Sequence, residues 1–176
     1  MHDNPSAGEG PAIHALATQK DVDARHKAGH DELRDRARVM SNKIFHAAAG
    51  MGRKLQGRAL VAKDGFSARY DLDRIKGVFA RPEHKLAGES YVGRVLVLDA
   101  AKGGVATAWM LYEMQARGVM PAALVLNAVN PIMVQGVALA DFTMISGFDC
   151  DITQAIPNGA AVEIDPNAER PFIRLL

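Results

Sequence analysis

The chain has 176 residues, 48% of them hydrophobic and 23% charged, which is the balance of a folded soluble protein and too apolar for general disorder. Lysine and arginine number 21 against 20 acidic residues, a formal net charge of +1, so there is no field to recruit nucleic acid or an anionic membrane. Cys150 is the only cysteine, which excludes an internal disulfide, a zinc ribbon and a set of thiolates for an iron–sulfur cluster.

The first fifty residues read as an extension distinct from the rest. Residues 1–12 carry Asn4, Pro5, Ser6, Gly8, Gly10 and Pro11, the composition of a disordered tail. No apolar core of a signal peptide is present there, and no apolar run approaches the ~18 residues that span a bilayer, so the expected location is cytoplasmic. From Asp31 to Ala49 the residues Leu33, Ala37, Met40, Ile44 and Ala47 alternate at steps of four and three. That pattern predicts a helix with one apolar stripe, stopped by Gly50 and Gly52, its stripe buried on the domain's open edge or on another subunit. His26 and His30 have the spacing of two imidazoles on one helical metal site, but Gly29 lies between them and no metalloprotease motif surrounds them. They are read as a solvated face, and no metal site is assigned to this chain.

Residues 51–176 read as one compact domain. Leu55–Ala62 and Val92–Leu98 predict strands, the second apolar on both faces and so central. Asp71–Gly77 is turn-like and Val78–Ala80 a short strand. Val105–Arg117 predicts a helix stopped by Gly118, with Pro121 close behind. Ala122–Leu126 is a buried strand, Asn130–Pro131 a turn and Phe142–Ile145 a shorter strand. Ala161–Ile164 and Phe172–Leu175 pair across Asp165–Pro166–Asn167 as a β-hairpin.

The most informative local pattern is a strand, then Ala101–Lys102–Gly103–Gly104, then a helix. Two glycines let the backbone turn sharply and aim free amides outward, the helix dipole adds partial positive charge, and Lys102 adds a full one. A carboxylate- or phosphate-binding loop needs these features; a tight turn with a solvated lysine has them too. The pattern is neither a Walker loop nor a dinucleotide fingerprint. Three other places hold reactive residue types. Asp71 and Asp73 flank Leu72 on one strand face, although turn acids are commonly just solvated. His84, in Arg81-Pro82-Glu83-His84-Lys85, is the only histidine of the compact domain, a general base or else a loop histidine bonded to backbone. Cys150 lies between Asp149 and Asp151, with no cation beside it to favour a thiolate, and reads as a loop thiol.

Read together, Gly57-Arg58-Ala59-Leu60-Val61, His84 to Ser90, Gly93-Arg94-Val95-Leu96-Val97-Leu98, Gly103, and Asn130-Pro131-Ile132 through Gly136 resemble the small subunit, or swivel domain, of the aconitase X family. The resemblance runs from about Gly57 to the C-terminus. It implies an α/β fold, a swivelling β/β/α domain with a strand-lined core and flanking helices, here with an N-terminal helical extension. It also implies a large partner subunit that carries iron or an iron–sulfur cluster, with no cofactor bound by this chain; a homo-oligomer is left open for the isolated chain. The implied chemistry is a hydro-lyase reaction, dehydration of a hydroxylated carboxylate or of a phosphorylated hydroxy acid.

The departures are as informative as the match. Where the family typically has Gly-Arg-Gly-Ser-Ser, with a serine as catalytic base, this chain has Ala101-Lys102-Gly103-Gly104-Val105. The cation and the turn survive; both serines are gone. Loss of a positioned general base costs about 10²–10⁴ in rate. Thr107, a half-turn later, is the weak substitute candidate, although threonine at a helix start is commonly a cap. The resemblance places Lys102, Gly103, Gly104, Val105, Asp73 and His84 around a small anionic substrate. The rival reading is a non-catalytic ligand-binding or regulatory swivel protein that kept the anion loop and lost the base. A similarity of Gly103–Ala108 to the phosphohistidine loop of phosphoryl-transfer swivelling domains is undercut by alanine at 108, which cannot carry phosphate.

Overall fold

A computed structural model describes residues 42–176. Seven strands close into a barrel in the order β1, β7, β6, β5, β2, β8, β9, with β9 pairing back onto β1. Their ranges are β1 Ile44–Met51, β2 Leu55–Val61, β5 Val95–Ala100, β6 Ala123–Ala128, β7 Met144–Phe148, β8 Ala161–Asp165 and β9 Phe172–Leu175. Strands β2, β5, β6 and β7 run parallel, and the remaining ladders are antiparallel. A separate two-residue ladder pairs β3 (Leu72–Asp73) with β4 (Val78–Phe79).

The parallel strands are apolar on both faces because both faces are covered. In β5, Val95 and Val97 point into the barrel with Ala59, Val125, Ile145, Val162, Ile164 and Ile173. Leu96 and Leu98 point the other way, onto Leu111 and Met114 of α1 (Val105–Ala116), Met133 and Val137 of α2 (Pro131–Leu139), and Phe66, Phe79 and Tyr91 of the β3–β4 segment. The two helices cross where Gly136 meets Ala108; a Cβ on Gly136 would lie 2.6 Å from the Ala108 Cα. A four-residue helix, α3 (Ile152–Ala155), sends Ile152 into the barrel core. It is capped by Asp151, whose carboxylate also accepts from the Asn127 amide.

Several expectations need correction. Residues 44–49 are strand, not helix: Phe45 and Ala47 are buried while Ile44, His46 and Ala48 face out, the period of two that pairing with β7 and β9 imposes. Ile44 and Ala47, placed on one helical stripe, therefore lie on opposite faces. Gly50 sits inside the ladder opposite Ile145 rather than ending a helix. β1, placed in the extension by its sequence, is therefore a strand of the barrel. The rest of the expected helix, the tail and the His26–His30 pair lie outside the described residues. Pro131–Leu139, read only as a turn at its start, is a helix. It is apolar over most of its surface and gives no amphipathic signal, though its Asn130 cap and Pro131 at the first position were start signals. No described helix is long and apolar enough to cross a membrane.

Candidate functional site

The carboxyl ends of the parallel strands carry the polar residues, as the ends of buried parallel strands generally do. At the end of β5 the chain is pinned on two sides before it enters α1. Phe66 donates its amide to Ala100 O at 2.8 Å and accepts from Lys102 N at 2.7 Å, while Ala101 N reaches Ala128 O at 3.0 Å. Asn130 clasps the turn from the third side: its Nδ2 donates to Ala101 O and Gly103 O, and its Oδ1 caps Met133 N at 2.8 Å. Gly103 then turns with φ +101°, and Gly104 is the N-cap of α1 with no side chain to satisfy the helix start.

This leaves the amides of Gly103, Gly104, Val105 and Ala106 without an acceptor among the described residues, whereas Thr107 N is closed onto Gly104 O at 2.9 Å. Lys102 stands beside them, exposed. Its stem packs against Gly65, where a Cβ would overlap Lys102 Cε, and its Nζ lies 3.4 Å from Asp64 Oδ1. Lys102, Gly103, Gly104 and Val105 thus form one continuous surface of a cation and free N–H donors. Such a surface suits an anion.

The other sequence candidates fall elsewhere. Thr107 is only 2% exposed, and its hydroxyl lies beneath Gly103, 3.5 Å from the Ser67 Oγ; it neither caps the helix nor faces outward. His84 is buried and stacked on Phe79 at 4.5 Å between ring centroids. Its Nδ1 accepts from Leu86 N at 3.1 Å, so Nε2 carries the proton and donates to Gly65 O at 3.0 Å. Both ring nitrogens are occupied, and His84 supports the Asp64–Gly65 turn. Asp73 is spent within its own turn on the amides of Ile75 and Lys76, bonds that hold its carboxyl below the usual range. Cys150 is an exposed loop thiol.

Asp64 and Arg81 escaped sequence reading, and Asp71 was read only as a turn acid. Asp64, Arg81 and Asp71 form a chain of charge under the loop: Arg81 NH1 is 3.1 Å from Asp71 Oδ1, and its NH2 is 3.7 Å from Asp64 Oδ1. Asp71 is wholly buried and also accepts from Ser67 N at 2.8 Å, which holds the 67–71 turn against α1. Nothing in a single sequence ties Asp64 to Lys102, 38 positions apart; the tie follows from β2 and β5 being parallel neighbours. Among the described residues no three His, Cys, Asp or Glu side chains gather as a metal site.

Beside the loop, Val105, Trp109 and Tyr112 of α1 and Ile132 and Leu139 of α2 are exposed and line an apolar groove of about 370 Å³. Contiguous exposed apolar surface of this kind is uncommon on a lone soluble domain.

A family model described as the aconitase X swivel domain matches residues 44–173. The phosphomevalonate dehydratase small subunit of Methanopyrus kandleri is 30% identical over 115 residues, 65% of this chain and 85% of the relative. The protein of the same name from Thermococcus sibiricus is 29% identical over 128 residues, 73% of this chain and 92% of that one. The crystal structure of Thermococcus kodakaraensis aconitase X in its holo-form superposes with a TM-score of 0.69 at 21% identity, covering 76% of this chain and 98% of that chain, a likeness of fold. The match begins at β1 and runs into β9, taking in nearly all of the barrel, both large helices and the Lys102–Ala106 loop: the chain belongs to the aconitase X swivel domain family.

Proposed function

We propose that the chain is the small, swivelling subunit of a two-subunit hydro-lyase, and that it presents the Lys102–Ala106 loop to the anionic end of a hydroxylated carboxylate or phosphorylated hydroxy acid. The observation that carries the reading is the run of four unpaired amides beside the Lys102 ammonium at the start of α1. Relatives named as small subunits of phosphomevalonate dehydratase support it. Dehydration removes a proton from one carbon and hydroxide from its neighbour, and this loop offers neither a base nor an acceptor for hydroxide. Its contribution is to bind and orient: hydrogen-bond donors fixed before the substrate arrives lose little entropy on binding. The large subunit holds any iron or cluster and closes over the loop, covering the apolar side chains that continue from Val105 along α1. Coexpression with a large subunit, copurification, and a screen of hydroxy acids for dehydration test this. A stable complex that dehydrates one of them supports the proposal; a complex that turns over none favours the second reading.

That second reading is a non-catalytic swivel protein that binds or senses an anion. One observation favours it. Glycine and valine stand at 104 and 105 where the resemblance implies serines, and the hydroxyls of Ser67 and Thr107 are both 2% exposed and face each other.

A further inference from the structure

We propose that Asp64 is a specificity-determining residue of the loop, an internal counter-ion that seats Lys102 and competes with the incoming anion for its ammonium. This rests on the reading of Lys102 as the anion's cation.

The side chain of Asp64 is only 14% exposed, and its carboxylate is fixed from several directions. Oδ1 accepts from Gly65 N at 2.7 Å and Oδ2 from Lys85 N at 3.3 Å, with Arg81 at 3.7 Å, His84 Nε2 at 3.9 Å and Lys102 at 3.4 Å. Burial raises its pKa, the Gly65 and Lys85 amides and the Lys102 ammonium lower it, and the net result holds the carboxyl below the usual range. Asp64 is therefore a permanent negative charge at working pH.

Lys102 is fitted to it. Gly65 has no Cβ, and the lysine stem fills the space one would take, with Nζ 2.7 Å from that position. The seat leads the ammonium to Asp64. Arg81 cannot cancel Asp64 in its place, because its other arm is engaged by the buried Asp71. The Lys102 charge is thus partly offset before any ligand arrives, and the free amides add to the attraction that is left. A lone inorganic anion must draw the ammonium from a carboxylate that is held in place. Weak capture of stray anions follows, and firm binding requires further substrate contacts such as a closed partner provides.

The test uses the full chain and inorganic phosphate at pH 8 and low salt, with affinities read by NMR titration for the wild type, Asp64→Asn, Asp64→Glu, Lys102→Ala and the double variant Asp64→Asn/Lys102→Ala. Asparagine keeps an acceptor for the Gly65 amide and removes the charge. The expected results are a threefold to tenfold tighter dissociation constant in Asp64→Asn and a value within twofold of wild type in Asp64→Glu. The gain should fall below twofold once Lys102 is alanine. The Lys102 ε-methylene resonance should also move in Asp64→Asn before any phosphate is added. An unmoved Lys102 resonance overturns the proposal, and so does unchanged or weakened phosphate binding in Asp64→Asn, or an equal gain with and without Lys102. Unchanged affinity in Lys102→Ala alone overturns the anion loop itself, a separate failure.

Discussion

Replacing Gly103 by alanine puts the shape of the loop to a quantitative test. At φ +101° an L side chain pays roughly 1–2 kcal/mol in backbone strain. Its Cβ would also lie 2.5 Å from Thr107 Oγ1, a side chain buried under the turn with no open space to swing into. Forced displacement in a packed interior adds on the order of 1–2 kcal/mol. Gly103→Ala should therefore destabilise the fold by about 2–4 kcal/mol, which is roughly a 10 °C drop in Tm for a domain of this size. Thermal and urea denaturation measure it. The two contributions separate in a double-mutant cycle. Thr107 Cβ is 3.5 Å from the new methyl, an ordinary contact, so Thr107→Ala removes the clash and leaves the strain. The pair should be less destabilised than the sum of the single variants by about 1–2 kcal/mol. Additivity within about 0.5 kcal/mol, the usual tolerance for independent sites, would refute the clash. A Gly103→Ala variant as stable as wild type would refute the loop geometry altogether.

Lys102→Ala should weaken phosphate binding about tenfold and leave Tm almost unchanged, since an exposed ion pair contributes at most about 1 kcal/mol; titration and melting of one preparation check both halves. Asp151 has its pKa depressed by hydrogen bonds from Thr153 and Asn127, which outweigh its partial burial, with Lys63 and Gln154 adding to them. Its stabilising effect is therefore complete above the unfolded carboxylate value of about 3.9 and is lost as pH falls below it. Tm of Asp151→Asn should accordingly decline less steeply than wild type between pH 5 and 2, and parallel curves would contradict the assignment. Purified and stripped of metal, the single chain should show no dehydratase turnover; any measurable rate sinks the two-subunit account. Trp109→Glu, on the exposed face of α1, should reduce copurification with the large subunit without lowering Tm.

What the sequence made legible was whatever a local pattern decides. The helix at Val105–Ala116 announced itself by the glycines before it and after it, and the β8–β9 hairpin by its turn residues. The glycine-rich turn and its free amides were readable for the same reason: two glycines at a strand-to-helix junction have few conformations to choose from. β1 was misread because Phe45-His46-Ala47-Ala48-Ala49 carries alanines that suit a helix, and only the open edges of β7 and β9 make it a strand. His84 and Thr107 looked like chemistry because their residue types are reactive. The fold turns both inward, one onto Phe79 and Gly65 and the other onto Ser67. Asp64 and Arg81 were invisible because their importance comes from tertiary proximity, of Asp64 to Lys102 through the parallel pairing of β2 with β5 and of Arg81 to Asp64, which no spacing rule encodes.

The most direct measurement is a structure of the chain in complex with its coexpressed large subunit and a bound hydroxy acid. The account predicts the substrate's anionic group within hydrogen-bond distance of the amides of Gly104 to Ala106, with the Lys102 ammonium drawn from Asp64 toward it. An anion held elsewhere, with Lys102 still on Asp64 and the loop facing solvent, would contradict it.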